Sequence, residues 1–381
     1  MARQAVYLDH NAASPLRPEA RAALLAALDL VGNPSSVHGH GRALRNLIET
    51  GRQEVARLAG AEPRQVVFTG SATEAITQAI VGGTRTFEAG AVALSTGEHA
   101  AVLRAAEATG LPLWTFGLDA DGRIDLDQLA SVLSRADAEG VSLLVAVHWV
   151  NNETGVVQPI ERINAMVGPT RHTLFIDGVQ ALGKLPLDFA ATAPDMMAIS
   201  GHKIGAPAGI GALLVKAHAD TVRLIPGGGQ EQGRRGGTES AALIAAFGAA
   251  AQASGYDCAA MQALTAHVET GLRALAPDVV IFGQGANRIG NVTNFAVPGL
   301  GNATAMMALD LMGLSLSSGS ACSSGKVGAS HVLAAMGVSR DLANCALRVS
   351  FGWNSTLADA DSFLAGFETL LSRQRRDGKA A

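Results

Sequence analysis

A chain of 381 residues, 48% of them hydrophobic, is long enough to bury a large core and to divide it between two domains. With 29 Lys+Arg against 33 Asp+Glu the net charge is -4, so no basic face for nucleic acid is expected, and 4% aromatics leave little for stacking single strands. Met1–Asp9 has no apolar signal-peptide core and no apolar run reaches membrane-spanning length, so the reading excludes a secretory signal and a membrane and expects a cytoplasmic protein.

The first expected elements are a short strand at Val6–Asp9, a turn-rich stretch over His10–Pro18 and a helix over Glu19–Leu30. Asn33-Pro34-Ser35-Ser36 is a loop that can cap a helix running from about Gly41 to Leu58. Strand and helix signals then alternate. Strands are expected at Val66–Thr69, Ala91–Ser95, Leu113–Phe116, Leu143–Trp149, Leu174–Asp177, Met196–Ser200 and Gly211–Lys216. Helices are expected at Ala72–Val81, Ala100–Thr109, Asp125–Leu133 and Ile160–Val167. Such alternation, with near-continuous apolar strands, predicts a mostly parallel sheet covered by helices on both faces.

The pattern changes after Gly227-Gly228-Gly229. Two helices in series, Ser240–Ala253 and Met261–Leu275, straddle a boundary placed near Gly255. Beyond it come strands at Val279–Phe282 and Val292–Val297, a helix at Ala303–Met312 and a Ser/Gly-rich loop from Ser317 to Gly328. A strand at Leu347–Phe351 and an amphipathic helix at Leu357–Arg373 complete a smaller α+β unit.

Several segments carry chemistry. Gly70-Ser71-Ala72-Thr73-Glu74 joins a strand to a helix, where backbone N–H groups and the Thr73 hydroxyl can meet an anion, or Ser71 can simply cap. His99 follows a strand and could stack on a flat ring or move a proton, or be structural. Asn152 lies in a loop after a strand end, as a turn former or a substrate contact. Asp177 ends a buried strand and needs a partner; a protonated pyridine nitrogen is one candidate, an N-cap the other. Gln180, just after, could reach a phenolate oxygen.

Ser200, His202 and Lys203 follow the strand Met196–Ser200 at a place where α/β sheets hold ligands. A desolvated amine there can form a Schiff base, and the two neighbours can bind phosphate. The segment Gly227–Thr238 combines glycines with two guanidinium groups and suits phosphate binding or a subunit interface.

Arg348, in an apolar strand, needs an anion, either a substrate carboxylate or a structural partner. The three cysteines include no C-x-x-C pair, so neither a disulfide framework nor a structural metal site is expected. Cys322 sits in a polar loop and reads as reactive, whereas Cys258 and Cys345 read as core filler.

Together the segments resemble the cysteine desulfurases, the NifS/IscS-like branch of the class V aminotransferase family. The resemblance runs from Tyr7-Leu8-Asp9 and Asn11-Ala12-Ala13 to Arg348, Ser350 and Gly352. It is carried most specifically by Ser200 with His202-Lys203 and by Ser318-Gly319-Ser320-Ala321-Cys322. It implies an α/β, fold type I pyridoxal-phosphate transferase with a mainly parallel seven-stranded sheet. The large cofactor domain would span 14–255, and the small one 1–13 and 256–381. It further implies a homodimer.

By resemblance, Lys203 would bind the cofactor aldehyde, Asp177 would pair with the pyridine nitrogen, and Gln180 would meet the ring oxygen. His99 would stack on the ring, shuttle protons and help deprotonate the Cys322 thiol. Ala72, Thr73, Ser200 and His202 would hold the phosphate, with Thr238 supplied by the second subunit. Asn152 and Arg348 would contact the substrate and its carboxylate. Cys322 would be the nucleophile that converts L-cysteine to L-alanine and keeps the sulfur as a persulfide. The long Ser317–Ser330 loop resembles the group that passes sulfur to an Fe–S scaffold protein or a tRNA-thiolation partner.

The chain departs from that pattern at Ala206-Pro207-Ala208 and at Gly328-Ala329, while Glu239-Ser240-Ala241 resembles the nitrogen-fixation branch. An aminotransferase, a selenocysteine lyase and a catalytically silent cofactor-bound scaffold are the competing readings. A transaminase has no need of Cys322.

Overall fold

The computed structural model describes residues 5–255, 258–319 and 330–380. In chain order the strands are β1 (Val6–Tyr7), β2 (Val66–Thr69), β3 (Ala91–Ser95), β4 (Leu113–Phe116), β5 (Leu143–His148), β6 (Thr173–Asp177) and β7 (Met196–Ser200). They continue with β8 (Gly211–Val215), β9 (Val280–Ile281), β10 (Val292–Ala296), β11 (Leu314–Ser315), β12 (Ser317–Ser318) and β13 (Ala346–Ser350).

A seven-stranded sheet in the order β2-β8-β7-β6-β5-β3-β4 organises the fold. β4, β3, β5, β6 and β7 are mutually parallel. β8 runs antiparallel to both of its neighbours, β7 and β2. Two reversals restore the direction, so β2 ends at the same edge as β7. Thr69 and Ser200 both lie opposite Gly211 in register. This brings the helix that begins at Ala72 beside the turn that carries Lys203. A Cβ at Gly211 would fall 2.7 Å from the Ala72 nitrogen, so only glycine permits that approach.

Alternate strand residues feed different cores. Phe68, Val145, Ile176 and Ile199 join one apolar cluster. Val67, Ala146, Phe175 and Ala198 join another. Both faces of the sheet are therefore dry, as the near-continuous apolar strands predict.

A second, antiparallel sheet has the order β12-β13-β10-β9. It packs with helices Cys258–Leu275 and Leu357–Ala380 around Phe295, Phe363 and Phe367. Arg348 occupies the middle of β13, opposite Asn294 and Ser317. The N-terminal segment joins this half through β1–β11 pairing and a bridge from Asp9 to Ser350.

Most expected elements lie within a residue or two of the observed ones. The helix expected over 72–81 is α-helical only to Thr77, then passes through a π turn at Gln78–Gly82 into Gly83–Thr86. Gln78 is fully buried there, and its Nε2 donates to the carbonyls of Val222 and Arg234, each at 3.0 Å. The helix expected to end at Leu133 continues to Glu139 and stops at Gly140, whose φ is 69°. The loop expected from Ser317 instead begins with strand β12. Helices His331–Ala335 and Arg340–Ala343 were not anticipated.

Candidate active site

A cavity of about 290 Å³ opens at the edge where the parallel strands end. Strand ends and the turns after them place Asp177, Gln180, His202 and Lys203 in its wall. The helix start supplies Ala72 and Thr73, loops supply His99 and Asn152, and β13 supplies Arg348. Residues far apart in sequence thus converge because parallel strands all deliver their C-terminal ends to one edge.

Lys203 lies in a single 3-10 turn, Gly201–Lys203, directly after β7. Its Nζ donates to the carbonyls of Asn11 and Ala12 at 2.6 and 2.7 Å. Asp177 lies one register position from each neighbour, beside His148 on β5 and Ala198 on β7. It is 7% exposed. Its Oδ1 accepts the Val179 N–H at 3.0 Å, the one hydrogen bond to its carboxylate among the described residues. Burial, reinforced by Glu98, pushes the Asp177 carboxyl up to about 6, against the pull of Val179 N–H, His148 and Lys203.

His99 is the N-cap of the helix Ala100–Ala108, and its Nδ1 accepts the Ala101 N–H at 3.1 Å. The neutral ring therefore carries its proton on Nε2. Burial lowers its pKa to about 4, helped by Lys203 and His331 and opposed by Glu98. In this state the Nε2 hydrogen is the one His99 has free to donate in a hydrogen bond.

Ser200 Oγ and His202 Nδ1 lie 2.8 Å apart. Burial and then Lys203 hold His202 at about 4, so its ring is neutral. Ser200 is fully buried, and its hydroxyl lies directly behind the His202 ring that lines the cavity. Thr238 does not reach this cavity and lines a separate one with Gly70, Arg235 and Glu239. The guanidinium groups of Gly227–Thr238 are committed internally. Arg235 Nε donates to Glu74 Oε1 at 2.7 Å, and Arg234 reaches the Arg64 carbonyl and Asp220. Cys322 lies outside the described residues. Cys258, expected as core filler, is exposed, with Sγ donating to the Lys184 carbonyl at 3.4 Å, whereas Cys345 is buried as expected.

Arg348 is 1% exposed and forms the structural ion pair that was one of the two partners considered for it. Nη2 donates to Asp9 Oδ1 at 2.6 Å and Nη1 to the Asn152 carbonyl at 3.0 Å, while Nε is buried without a partner among the described residues.

Residue-by-residue reading missed a second layer. Glu98 is fully buried, and its Oε1 accepts from His148 Nδ1 at 2.7 Å and Ser95 Oγ at 2.7 Å. His148 Nε2 accepts from Gln158 Nε2 at 3.0 Å, which fixes its tautomer. Glu153, 1% exposed, accepts the Ser330 hydroxyl, and burial raises its carboxyl to about 7. His331 Nε2 meets the Glu98 carbonyl at 2.8 Å. Asn11 and Lys184 complete this layer. The one sequence signal was polar residues placed in or beside apolar strands, where each needs a partner.

The donor set fits pyridoxal phosphate. A buried carboxylate with one backbone donor lacks the cationic partner that a pyridine nitrogen would bring. The N–H groups of Ala72 and Thr73 open a helix, where no intrahelical acceptor exists for them. Among the described residues no group of three or more His, Cys, Asp or Glu could hold a metal ion, and no helix is long and apolar enough to cross a membrane.

The aminotransferase class-V model matches residues 6–363. A protein of Trichormus variabilis named cysteine desulfurase 2 is 35% identical, over 97% of this chain and 94% of the relative. An IscS-like cysteine desulfurase of Mycobacterium tuberculosis is 35% identical, over 98% of each. A solved NifS-like protein of Rickettsia africae superposes with TM-score 0.87 at 28% identity, over 97% of this chain and 100% of that one. The chain belongs to the class-V aminotransferase family and, within it, to the NifS/IscS-like cysteine desulfurases, which depend on pyridoxal phosphate.

Proposed function

We propose that this protein converts L-cysteine to L-alanine and retains the sulfur as a persulfide on Cys322. The observation that carries the reading is the convergence of Lys203, Asp177 and His99 on one cavity. When bound, pyridoxal phosphate supplies an electron sink for the substrate's α-carbon. Lys203 would hold the cofactor's aldehyde and serve as the base for the α-proton. Asp177 would balance the pyridine nitrogen, and Gln180 would donate to the ring oxygen. His99 would face the ring and offer its Nε2 hydrogen. Ala72, Thr73, Ser200 and His202 would hold the phosphate, with Thr238 of the partner subunit. Asn152 and Arg348 orient the substrate, and the unpartnered Arg348 Nε supports a carboxylate contact.

Cys322, as the thiolate, would attack the substrate sulfur. The S–S bond forms as the C–S bond breaks, the C–S electron pair passes to the β-carbon, and that carbon takes up a proton as alanine leaves. Sulfur then passes to an Fe–S scaffold protein or a tRNA-thiolation partner in the cytoplasm. The reading assigns 14–255 to a cofactor domain and 1–13 with 256–381 to a small domain bearing Cys322. An apolar cluster drawn only from Leu8 and from residues between 261 and 371 supports that division. Thr238 lines a different cavity from Lys203, which supports a homodimer in which the second subunit supplies it.

The test is sulfide and alanine release from cysteine with a reductant. Cys322→Ser should keep the visible absorption of bound cofactor and lose sulfide release. Wild-type sulfide rates in that variant would refute the persulfide step.

A further inference from the structure

We propose that Lys184 is a positioning residue of this site: its side-chain nitrogen fixes which end of the Gln180 amide faces the cofactor and, through Asn11, steadies the carbonyl on which Lys203 rests. The inference rests on the reading that Lys203 binds pyridoxal phosphate. Lys184 is 4% exposed and lies behind the wall rather than in it. Its Nζ donates to Asn11 Oδ1 at 3.0 Å and to Gln180 Oε1 at 2.5 Å. Among the described residues no carboxylate pairs with it. Burial, then Lys203 and Arg348, push its pKa well below the ordinary lysine value. A lysine kept dry without a counter-charge is costly, so apolar packing alone would favour a methionine there.

The gain is directional. Gln180 Nε2 donates one hydrogen to the Asn11 carbonyl at 2.9 Å while Oε1 is held by Lys184. Flipping the amide would set NH₂ against a nitrogen donor and oxygen against a carbonyl oxygen. Both contacts therefore fix the same orientation, and the second Nε2 hydrogen is the one left for the cavity that Gln180 lines. A ring oxygen would meet a donor there and never an acceptor.

Asn11 is the relay. Its carbonyl accepts from Gln180 Nε2 and Lys203 Nζ, and its Oδ1 accepts from Lys184 Nζ and Asn291 Nδ2. Its Nδ2 donates to the Asn152 carbonyl at 3.2 Å, the same carbonyl that takes Arg348 Nη1. One buried amide thus joins the cofactor-facing and substrate-facing halves of the site. Lys184 holds it from beneath.

The experiment reads the pH midpoint of the holoenzyme's visible absorption, with the melting temperature of the cofactor-free protein alongside. A donor on the ring oxygen favours the deprotonated form, so losing it raises the midpoint. Lys184→Met and Gln180→Ala should each raise it by about half a unit or more, and the double variant no further than the larger single shift. If Lys184→Met fails to fold, Lys184→Gln keeps a donor on a shorter stem and should shift in the same direction by less. An unmoved midpoint with only a lower melting temperature overturns the proposal, as do shifts that simply add. A wild-type protein that forms no visible band with pyridoxal phosphate overturns the functional reading itself, a result distinct from either.

Discussion

Arg348→Ala tests how the site binds the substrate's carboxylate. The guanidinium is buried, spends Nη2 on Asp9 and Nη1 on the Asn152 carbonyl, and has Nε left over. A hydrogen bond to a charged group contributes about 1.5–3 kcal/mol. At about 1.4 kcal/mol per tenfold, kcat/KM for cysteine should fall roughly ten- to hundredfold. The fall should come chiefly from KM, because the carboxylate is not where charge changes in the reaction. Removing Arg348 also leaves Asp9 without its cation, so a lower melting temperature is expected as well.

Arg348→Lys distinguishes the two effects. It keeps a charge for Asp9 but loses the planar fork, so it should recover the melting temperature more than KM. The assay is initial-rate alanine formation against cysteine concentration. Cysteamine, which has the thiol and amine but no carboxylate, serves as a competing ligand and should bind the wild type and both variants alike. A wild-type KM for cysteine in a folded Arg348→Ala protein would refute the carboxylate assignment.

Stability should depend on pH through His10, which burial and Lys184 hold at about 4 against the opposing pull of Asp359. A depressed histidine is neutral when folded, so its contribution is complete above about 6.5 and is lost as pH falls toward 4. His10→Gln should flatten the melting-temperature curve across that window, by up to about 3 kcal/mol at the acid end. Arg52 and Glu231 form a buried pair at 2.7 Å, and Phe68 N–H donates to the same carboxylate at 2.9 Å. Glu231→Gln should cost about 3 kcal/mol in urea unfolding by leaving the buried guanidinium only the half-exposed Glu49 as a charge partner, and an unchanged midpoint would contradict that reading.

The large sheet was legible because its strands are apolar on both faces and bounded by turn residues, so Val66–Thr69, Ala91–Ser95 and Met196–Ser200 match residue for residue. The reversal of β8 was not, since an apolar strand reads alike in either direction. That reversal is what delivers Ala72 to the Lys203 edge. The first layer of the site was legible wherever a polar side chain interrupts an apolar strand or follows its end, as at Asp177, Lys203 and Arg348. The pairing of Lys184 with Asn11 was not, because it joins residues 173 positions apart rather than following from local pattern. His99 lines the cavity, but its tautomer depends on the Ala101 N–H, which sequence does not display.

The account stands on Lys203 as the residue that takes the cofactor. Loading the purified protein with pyridoxal phosphate, reducing it with borohydride and mapping the added mass by peptide mass spectrometry tests this directly. The predicted result is one modification per chain, on the peptide containing Lys203 and absent in Lys203→Ala. A modification on another lysine, or none in a protein that has turned yellow, would contradict it.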